Sequence, residues 1–275
     1  MTKLEYKFTN DTLFKSLFMK RQDLLKRLVA ELLRIRFESI GQFEVADTEV
    51  PPEILGDKFC RLDIAMTVDG QRVALEIQVN NEGDYPERSL FYWAREFSTA
   101  LGEGMDYKKL PRTVIISIIA FKQFDCEEFH SEHQVLEVTR HTPLTDRLSL
   151  HFFELPKLPE VVDADDELKL WLALFKAETE EELQQIEAMG VPVMEQAINA
   201  YRHITTTEEF KEMERLRSLA RHNEAAALRH AAEVEREKWQ GVVADLRDTV
   251  TEKDAALSEK DALIAELQAK LERRS

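Results

Sequence analysis

The stretch "RLDIAMTVDGQRVALEIQV", residues 61–79, consists of two alternating segments joined at Asp69-Gly70. An Asp-Gly pair favours a two-residue β-hairpin turn in which both central residues have positive φ. Such a turn sets the cross-strand register, and in that register Asp63 lies opposite Glu76. The sequence therefore predicts a hairpin that places two acidic side chains side by side.

Each predicted strand has one apolar and one polar face, because side chains alternate between the two faces of a sheet. The apolar positions are Leu62, Ile64, Met66 and Val68 in the first strand and Val73, Leu75, Ile77 and Val79 in the second. Both acids belong to the polar face. One interpretation is a solvent-facing hairpin whose acids are partly balanced by Arg61 and Arg72.

A metal site is the other interpretation of the paired acids. Side chains directly opposite on one sheet face have Cβ atoms roughly 4.5–5.5 Å apart, and like charges there destabilise the pairing unless they are neutralised. Mg²⁺ is typically bound by one or two carboxylates together with water and phosphate oxygens. Asp63 and Glu76 meet that demand with Mg²⁺ or Mn²⁺, and Gln78 shares their face, where its amide can orient a water or a phosphate.

The composition is that of a folded chain of 275 residues, 44% hydrophobic and 33% charged. Its two cysteines, Cys60 and Cys126, have no metal-ligand spacing, and the N-terminus lacks a signal-peptide core. No apolar run reaches the length of a membrane span, the longest being "VIISIIAF" at 114–121. We expect a reduced, cytoplasmic protein with no membrane partner.

Charge is distributed unevenly along the chain, whose formal net charge is −16. Residues 160–275 contain 16 basic and 27 acidic side chains, whereas the first 36 residues contain nine basic and four acidic ones. Because DNA phosphates attract positive surface, the overall charge argues against a general nucleic-acid coat protein. The basic N-terminal segment leaves open a local DNA-facing patch or a merely solvated helix face.

The order of elements predicts an α/β core that ends near 156–159. An amphipathic helical segment over 8–35, as one helix or two, precedes the extended segment 43–50 and the hairpin. A helix follows from Tyr85 to Gly102 or Gly104. Three extended segments complete the core: the uniformly apolar 112–121, then 133–140 and 148–155.

Helices dominate the rest of the chain. Thr179 and Glu182 have capping-box spacing, and from Glu208 onward the sequence has no proline, so it can form one long helix. Two heptad positions repeat towards its end: Val243, Val250, Leu257, Ile264 and Leu271 at one, and Trp239, Leu246, Lys253, Lys260 and Leu267 at the other. This repeat predicts a coiled coil, with a parallel homodimer as the simplest assembly and a lone solvated helix as the alternative.

Four stretches in order carry a family resemblance: "NDTLFKSLF", "RLDIAMTVDGQRVALEIQV", "ERSLFYWAREF" and "YKKLPRTVIISII". Together, over roughly residues 5–155, they resemble the recombination-promoting nucleases, the transposase-like branch of the PD-(D/E)XK nuclease superfamily. The resemblance implies a restriction-endonuclease-like core, a mixed sheet flanked by helices. It also implies DNA as the substrate and Mg²⁺ or Mn²⁺ as the cofactor.

The resemblance assigns catalytic roles to Asp63, Glu76 and Gln78, with the two acids as metal ligands. Gln78 stands where the general superfamily pattern has lysine, and a neutral amide supplies no charge. Lys58 and Arg88 are candidates for the missing positive charge, and either is equally explained as a surface residue.

Further accessory candidates lie on the predicted helices. Arg88, Tyr92 and Arg95 share a helical stripe that can follow a phosphate backbone or simply pack. Asp11 and Lys15 have the spacing of an ion pair and are also site candidates. Glu31 is either a third metal carboxylate or a solvated side chain.

These observations predict a nuclease-like domain at 1–159, a helical region at 160–207 and a long helix or coiled coil at 208–275. The predicted function is that of a divalent-metal-dependent DNA endonuclease that hydrolyses phosphodiester bonds. The alternative is a catalytically degenerate nuclease fold that binds DNA or protein and oligomerises through its coiled coil.

Overall fold

The hairpin at 61–79 has the predicted turn and register. In the computed structural model, which describes residues 2–46, 62–102, 104 and 106–272, strand β2 (Ile64–Val68) pairs antiparallel with β3 (Gln71–Gln78). Asp69 and Gly70 both have positive φ, +46° and +77°. Val68 pairs with Gln71 and Ile64 with Leu75, which confirms the predicted register.

Six strands form one mixed sheet in the order β1-β2-β3-β4-β6-β5. The other strands are β1 (Phe43–Ala46), β4 (Thr113–Ile119), β5 (His130–His133) and β6 (Leu148–Glu154). β3 pairs parallel with β4 and β4 parallel with β6, whereas the pairs at both edges are antiparallel. Strands β4 and β6 are buried along their whole length, as the uniformly apolar sequence of β4 predicts.

Seven α-helices accompany the sheet in the described residues: α1 (Asp11–Lys20), α2 (Gln22–Leu33), α3 (Tyr85–Ser98), α4 (Glu167–Lys176), α5 (Glu180–Glu187), α6 (Pro192–Thr206) and α7 (Glu208–Glu272). The N-terminal amphipathic segment is therefore two helices, and the side chain of Asn10 accepts a hydrogen bond from the Leu13 amide at the start of α1. The predicted capping box of Thr179 and Glu182 begins α5.

Both faces of the sheet are covered. The apolar hairpin face joins a large core with α1, α2, α4, α5 and α6. The opposite face, predicted to be polar, carries Ala65 and Ala74 and packs with Tyr85 of α3 in a second apolar cluster. The interpretation of a solvent-facing hairpin is therefore wrong, because helix α3 follows β3 directly and covers that face.

Two further sequence predictions differ from the structure. Leu62 lies before β2 and packs in the second cluster, so it does not share the face of Ile64. The strand expected within 133–140 lies instead at His130–His133, where the chain pairs with the neighbouring β6.

The first compact unit, Met1–Glu214, includes the helical region that follows the sheet. Phe8 stacks on Tyr201 of α6 with ring centroids 4.7 Å apart, and Leu4 donates a backbone hydrogen bond to Glu178. Phe210, in the first turn of α7, is also part of the core. Segments 1–159 and 160–207 thus share one core, because the N-terminal residues pack directly on α5 and α6.

The second unit, Arg215–Ser275, contains the rest of α7. The apolar side chains of the predicted heptad are exposed there, for example Val250 (56%), Leu257 (57%) and Ile264 (52%). The structure therefore shows the long helix, and the coiled coil remains a prediction. Among the described residues, none of the helices combines the length and apolarity needed to cross a bilayer.

Candidate active site

Asp63 and Glu76 lie side by side at the end of the hairpin that is far from the turn, next to the start of β2 and the end of β3. The backbone amide of Asp63 donates to Glu76 Oε1 at 2.8 Å, and the amide of Ile77 donates to Asp63 Oδ2 at 2.9 Å. Each carboxylate is thus fixed by the backbone of the opposite strand. Asp63 Oδ1 and Glu76 Oε2 take no part in these two hydrogen bonds.

Burial strongly affects both acids. Glu76 is only 7% exposed, and the side chain of Asp63 is 15% exposed. Burial raises the pKa of Glu76 well above its ordinary value, and the neighbouring Asp63 charge raises it further. Burial also raises the pKa of Asp63, although Lys15 acts in the opposite direction. Two acids held in this way favour a cation that would neutralise them.

Lys15 of helix α1 provides positive charge beside the pair. Its Nζ lies 3.2 Å from Asp63 Oδ1 and 3.4 Å from Asp11 Oδ1. Asp11 and Lys15 are one helical turn apart, and the structure brings both to the hairpin acids. The ion pair between them therefore lies at the candidate site.

Gln78 lies two residues beyond Glu76 at the end of β3. Its side-chain Nε2 donates to the backbone carbonyl of Asn80 at 2.8 Å. The amide nitrogen is thus engaged by the loop that follows β3, and the side chain brings no charge to the acid pair.

Arg88 lies on the first part of α3, close to the acids but engaged elsewhere. Its guanidinium binds Glu82 at 2.8 Å and lies over the ring of Tyr85, 4.9 Å from the centroid. Its charge lowers the pKa of Glu76, but this effect is smaller than the effects of burial, Asp63 and Lys15. Tyr92, one turn further along α3, packs against the second apolar cluster.

Tyr85 is a residue at this site that the sequence analysis did not single out. It is buried, and its hydroxyl donates to Ser117 Oγ of β4 at 3.0 Å. Burial raises the pKa of Tyr85, and the neighbouring Glu76 charge raises it further, which keeps the phenol neutral. Its place at the start of the helix that follows β3 is the signal that points to it.

Two candidates do not join this group. Glu31 lines a separate acidic cavity with Asp163, Asp166 and Glu167. Burial raises the pKa of Glu31, and the charges of Glu167 and Asp166 raise it further. Lys58 lies outside the described residues. Nothing in the structure brings Glu31 to Asp63.

The donor set suits a hard divalent cation. Two buried carboxylates lie together, each with an oxygen outside the mutual hydrogen bonds, and Mg²⁺ needs no more protein ligands than that. In the part of the chain that the structure describes, no group of three or more His, Cys, Asp or Glu side chains has the geometry of a metal site. Asp63 and Glu76 would hold the ion, with water and substrate oxygens as its other ligands.

Comparison with known families identifies the family of this chain. Residues 8–231 match the sequence profile of the PD-(D/E)XK nuclease family transposases. The chain belongs to this family. Searches of curated proteins and of solved structures found no significant match.

Membership of the PD-(D/E)XK nuclease family transposases agrees with the mixed sheet flanked by helices. It indicates a nuclease or transposase-like function with DNA as the substrate. PD-(D/E)XK nucleases generally use divalent metal ions, which fits the donor set of Asp63 and Glu76. The match extends beyond the sheet to residue 231, so it includes the helices that share its core.

Proposed function

We propose that this protein is a divalent-metal-dependent DNA endonuclease that hydrolyses phosphodiester bonds. The observation that carries the proposal is the buried pair of Asp63 and Glu76, joined by hydrogen bonds across the hairpin. A buried acid pair is costly for a purely structural hairpin, and a bound cation neutralises it.

Asp63 and Glu76 bind the metal ion in this proposal, and the hairpin backbone holds their carboxylates in place. When bound, the ion supplies Lewis acidity towards a phosphoryl oxygen and makes a nearby water more acidic. Gln78, once released from Asn80, orients a water or a phosphate oxygen through its neutral amide.

Plasmid cleavage tests the proposal. Purified protein should nick or cut duplex DNA with Mg²⁺ or Mn²⁺ and stop in the presence of a chelator. Asp63→Ala and Glu76→Ala should abolish cutting. Asp63→Asn and Glu76→Gln, which remove the charge but keep the side-chain volume, should also abolish it. Glu44→Ala, at an exposed position on the neighbouring strand β1, is the matched control and should cut normally. Full cleavage by both Asp63→Ala and Glu76→Ala would contradict the proposal.

The same assay separates an enzyme from a degenerate nuclease fold. The engaged amide of Gln78 and the acidic balance of the chain favour that alternative. A protein of that kind would retain DNA in a gel-shift experiment without cutting it at any metal concentration. Gln78→Ala should reduce cutting by the enzyme, and a wild-type rate would remove Gln78 from the site.

We also propose that α7 joins two copies as a parallel coiled-coil homodimer. The exposed apolar heptad positions from Val243 to Leu267 support this, and each seam lysine is followed directly by an aspartate, Lys253-Asp254 and Lys260-Asp261. Positions beside the seam pair across helices, so these aspartates can neutralise the lysines of the second copy. Two linked nuclease units can then cut two nearby phosphodiesters.

Light scattering tests the assembly. The full-length chain should have the mass of a dimer, and Leu257→Lys combined with Ile264→Lys should shift it to a monomer that favours nicks over double-strand breaks. Ser258→Lys, on the outer face of the heptad and away from the seam, is the control and should remain dimeric. A full-length chain that is monomeric at micromolar concentration would contradict the coiled coil and leave the acid pair untouched.

A further inference from the structure

Phosphodiester hydrolysis creates a demand for positive charge that strand β3 does not meet. Negative charge on the phosphoryl oxygens must be stabilised in the transition state, and preorganised cationic donors serve that purpose. Glu76 and Gln78 project from β3 as an acid and a neutral amide. The cation must therefore come from another element.

Helix α1 brings a lysine to the required place. Lys15 Nζ lies 3.2 Å from Asp63 Oδ1, and the side chain is 18% exposed. Phe14 and Phe18, its neighbours on the same helix, are fully buried and hold α1 against the core. The ammonium group is thus fixed beside the acids and still accessible to a phosphate.

Other described cations near the hairpin are engaged in structural contacts. Arg88 binds Glu82, and Arg72 donates to the Glu96 carbonyl and to Thr99 Oγ1 near the end of α3. Among the ion pairs of the described residues, that of Lys15 is the one that includes Asp63. Lys58 falls in the undescribed stretch 47–61, and the experiment below tests it directly.

We propose that Lys15 is the catalytic cation of this site, supplied from α1 in place of a lysine on β3. This inference rests on the proposed endonuclease function. In the reaction, a P–O bond to water forms as the P–O bond to one sugar oxygen breaks. The protons of the water pass to that leaving oxygen and to solvent. Lys15 keeps its own proton and donates a hydrogen bond to a non-bridging phosphate oxygen throughout.

The position of Lys15 has a second consequence. Its ammonium neutralises the same Asp63 oxygen that a metal ion would bind, so the lysine and the ion repel each other at the acid pair. Removal of the charge should therefore strengthen metal binding while it slows cutting. A purely structural lysine would not produce these opposite effects.

The experiment measures both quantities in the full-length protein: Mn²⁺ affinity by calorimetry and plasmid nicking rate at saturating Mn²⁺. Lys15→Met should nick on the order of 100-fold more slowly and bind Mn²⁺ roughly threefold to tenfold more tightly. Lys15→Arg should keep most of the activity. Lys20→Met, at an exposed position on the same helix, is the matched control and should behave as wild type in both measurements.

Relocation of the charge makes the test specific. Gln78→Lys added to Lys15→Met should restore nicking at least about tenfold, because the strand then supplies the cation. The thermal melts of all variants monitor folding, and Lys15→Gln replaces Lys15→Met if the latter does not fold.

Two results would overturn the role of Lys15 while the nuclease assignment stands: wild-type nicking by Lys15→Met, or loss of nicking by Lys58→Met with Lys15→Met unaffected. Weaker Mn²⁺ binding by a folded Lys15→Met would also overturn it. Failure of the wild-type protein both to bind Mn²⁺ and to cut DNA would instead overturn the proposed function itself.

Discussion

The backbone amide of Asp63 donates a hydrogen bond to the carboxylate of Glu76, and the Asp63 carboxylate accepts one from the backbone amide of Ile77, the residue after Glu76. This exchange holds two acids together on inner strands of a covered sheet, where solvent screens them poorly. The raised pKa of each acid reflects that cost. The arrangement is costly without a cation.

Glu76→Gln should stabilise the metal-free protein. The amide keeps the hydrogen bond from Asp63 and removes one buried charge, so we expect a gain in the free energy of unfolding of about 1 kcal/mol. Because the folded-state pKa of Glu76 is raised, the stability linked to its protonated form is lost as pH rises above 4.5, and the advantage of the variant should grow over that range.

Thermal melts with and without Mg²⁺ measure this effect. We expect Mg²⁺ to raise the Tm of the wild-type protein, and the variant should lose this increase because it lacks a ligand of the ion. Glu44→Gln on β1 is the control and should change neither quantity. An unaltered Mg²⁺ response in Glu76→Gln would contradict the assignment of Glu76 as a ligand.

Lys157→Met should destabilise the core by about 3–5 kcal/mol. Lys157 Nζ binds Glu154 Oε1 at 2.7 Å, and the two side chains are only 4% and 1% exposed, so loss of the lysine leaves a buried charge without its partner. Combined with Glu154→Gln, the same change should cost less than the sum of the two single changes. Urea unfolding of the wild-type protein, the two single variants and the double variant measures these costs. Lys211→Met removes an exposed ion pair with Glu208 and is the control, which should cost less than about 0.5 kcal/mol.

The pair of β5 and β6 carries a chain of hydrogen bonds with a pH-sensitive centre. Ser149 donates to Glu132 at 2.8 Å, so its hydroxyl oxygen accepts from His151 Nε2 at 2.9 Å. His151 Nδ1 then accepts from His130 Nε2 at 3.1 Å. Burial lowers the pKa of His151 to about 4, and both histidines are neutral in this arrangement.

His151→Gln should therefore flatten the loss of stability at acid pH. In the unfolded chain His151 binds a proton below its ordinary pKa of 6.5, whereas in the folded chain it does so only near pH 4. The wild-type protein therefore loses stability as the pH falls from 6.5 to about 4. We expect the loss between pH 7 and pH 4 to be on the order of 2–3 kcal/mol smaller in the variant. Urea unfolding across this range, with the exposed His203→Gln as control, checks the prediction, and parallel curves for His151→Gln and wild type would contradict it.

The position of Phe210 predicts where the chain can be shortened. Phe210 is buried, and its ring meets that of Tyr6 edge-on with centroids 5.0 Å apart. A chain that ends at Glu214 should fold as a monomer with near wild-type core stability. One that ends at Thr207 should lose about 3–5 kcal/mol, as for removal of a buried phenylalanine. Urea unfolding and light scattering of the two truncated chains measure both effects, and equal stability would contradict the role of Phe210.

Much of the hairpin could be predicted from its residues. The Asp-Gly turn and the alternation of β2 and β3 depend on local backbone preferences and on a period of two, so the register that brings Asp63 to Glu76 was readable in advance. The same holds for the buried strand β4 and for the capping box at Thr179, whose signals lie within a few residues of the elements they form.

Contacts between distant segments decided the rest. Lys15 reaches Asp63 because buried phenylalanines of α1 pack against α4 in the core. Glu31 of α2 instead lines another acidic cavity with residues at the start of α4. The burial of Glu76 depends on α3, which covers the face that alternation alone marks as polar. Local sequence determined which acids pair, and long-range packing, which no short pattern encodes, decided which cation lies beside them and how far they are removed from water.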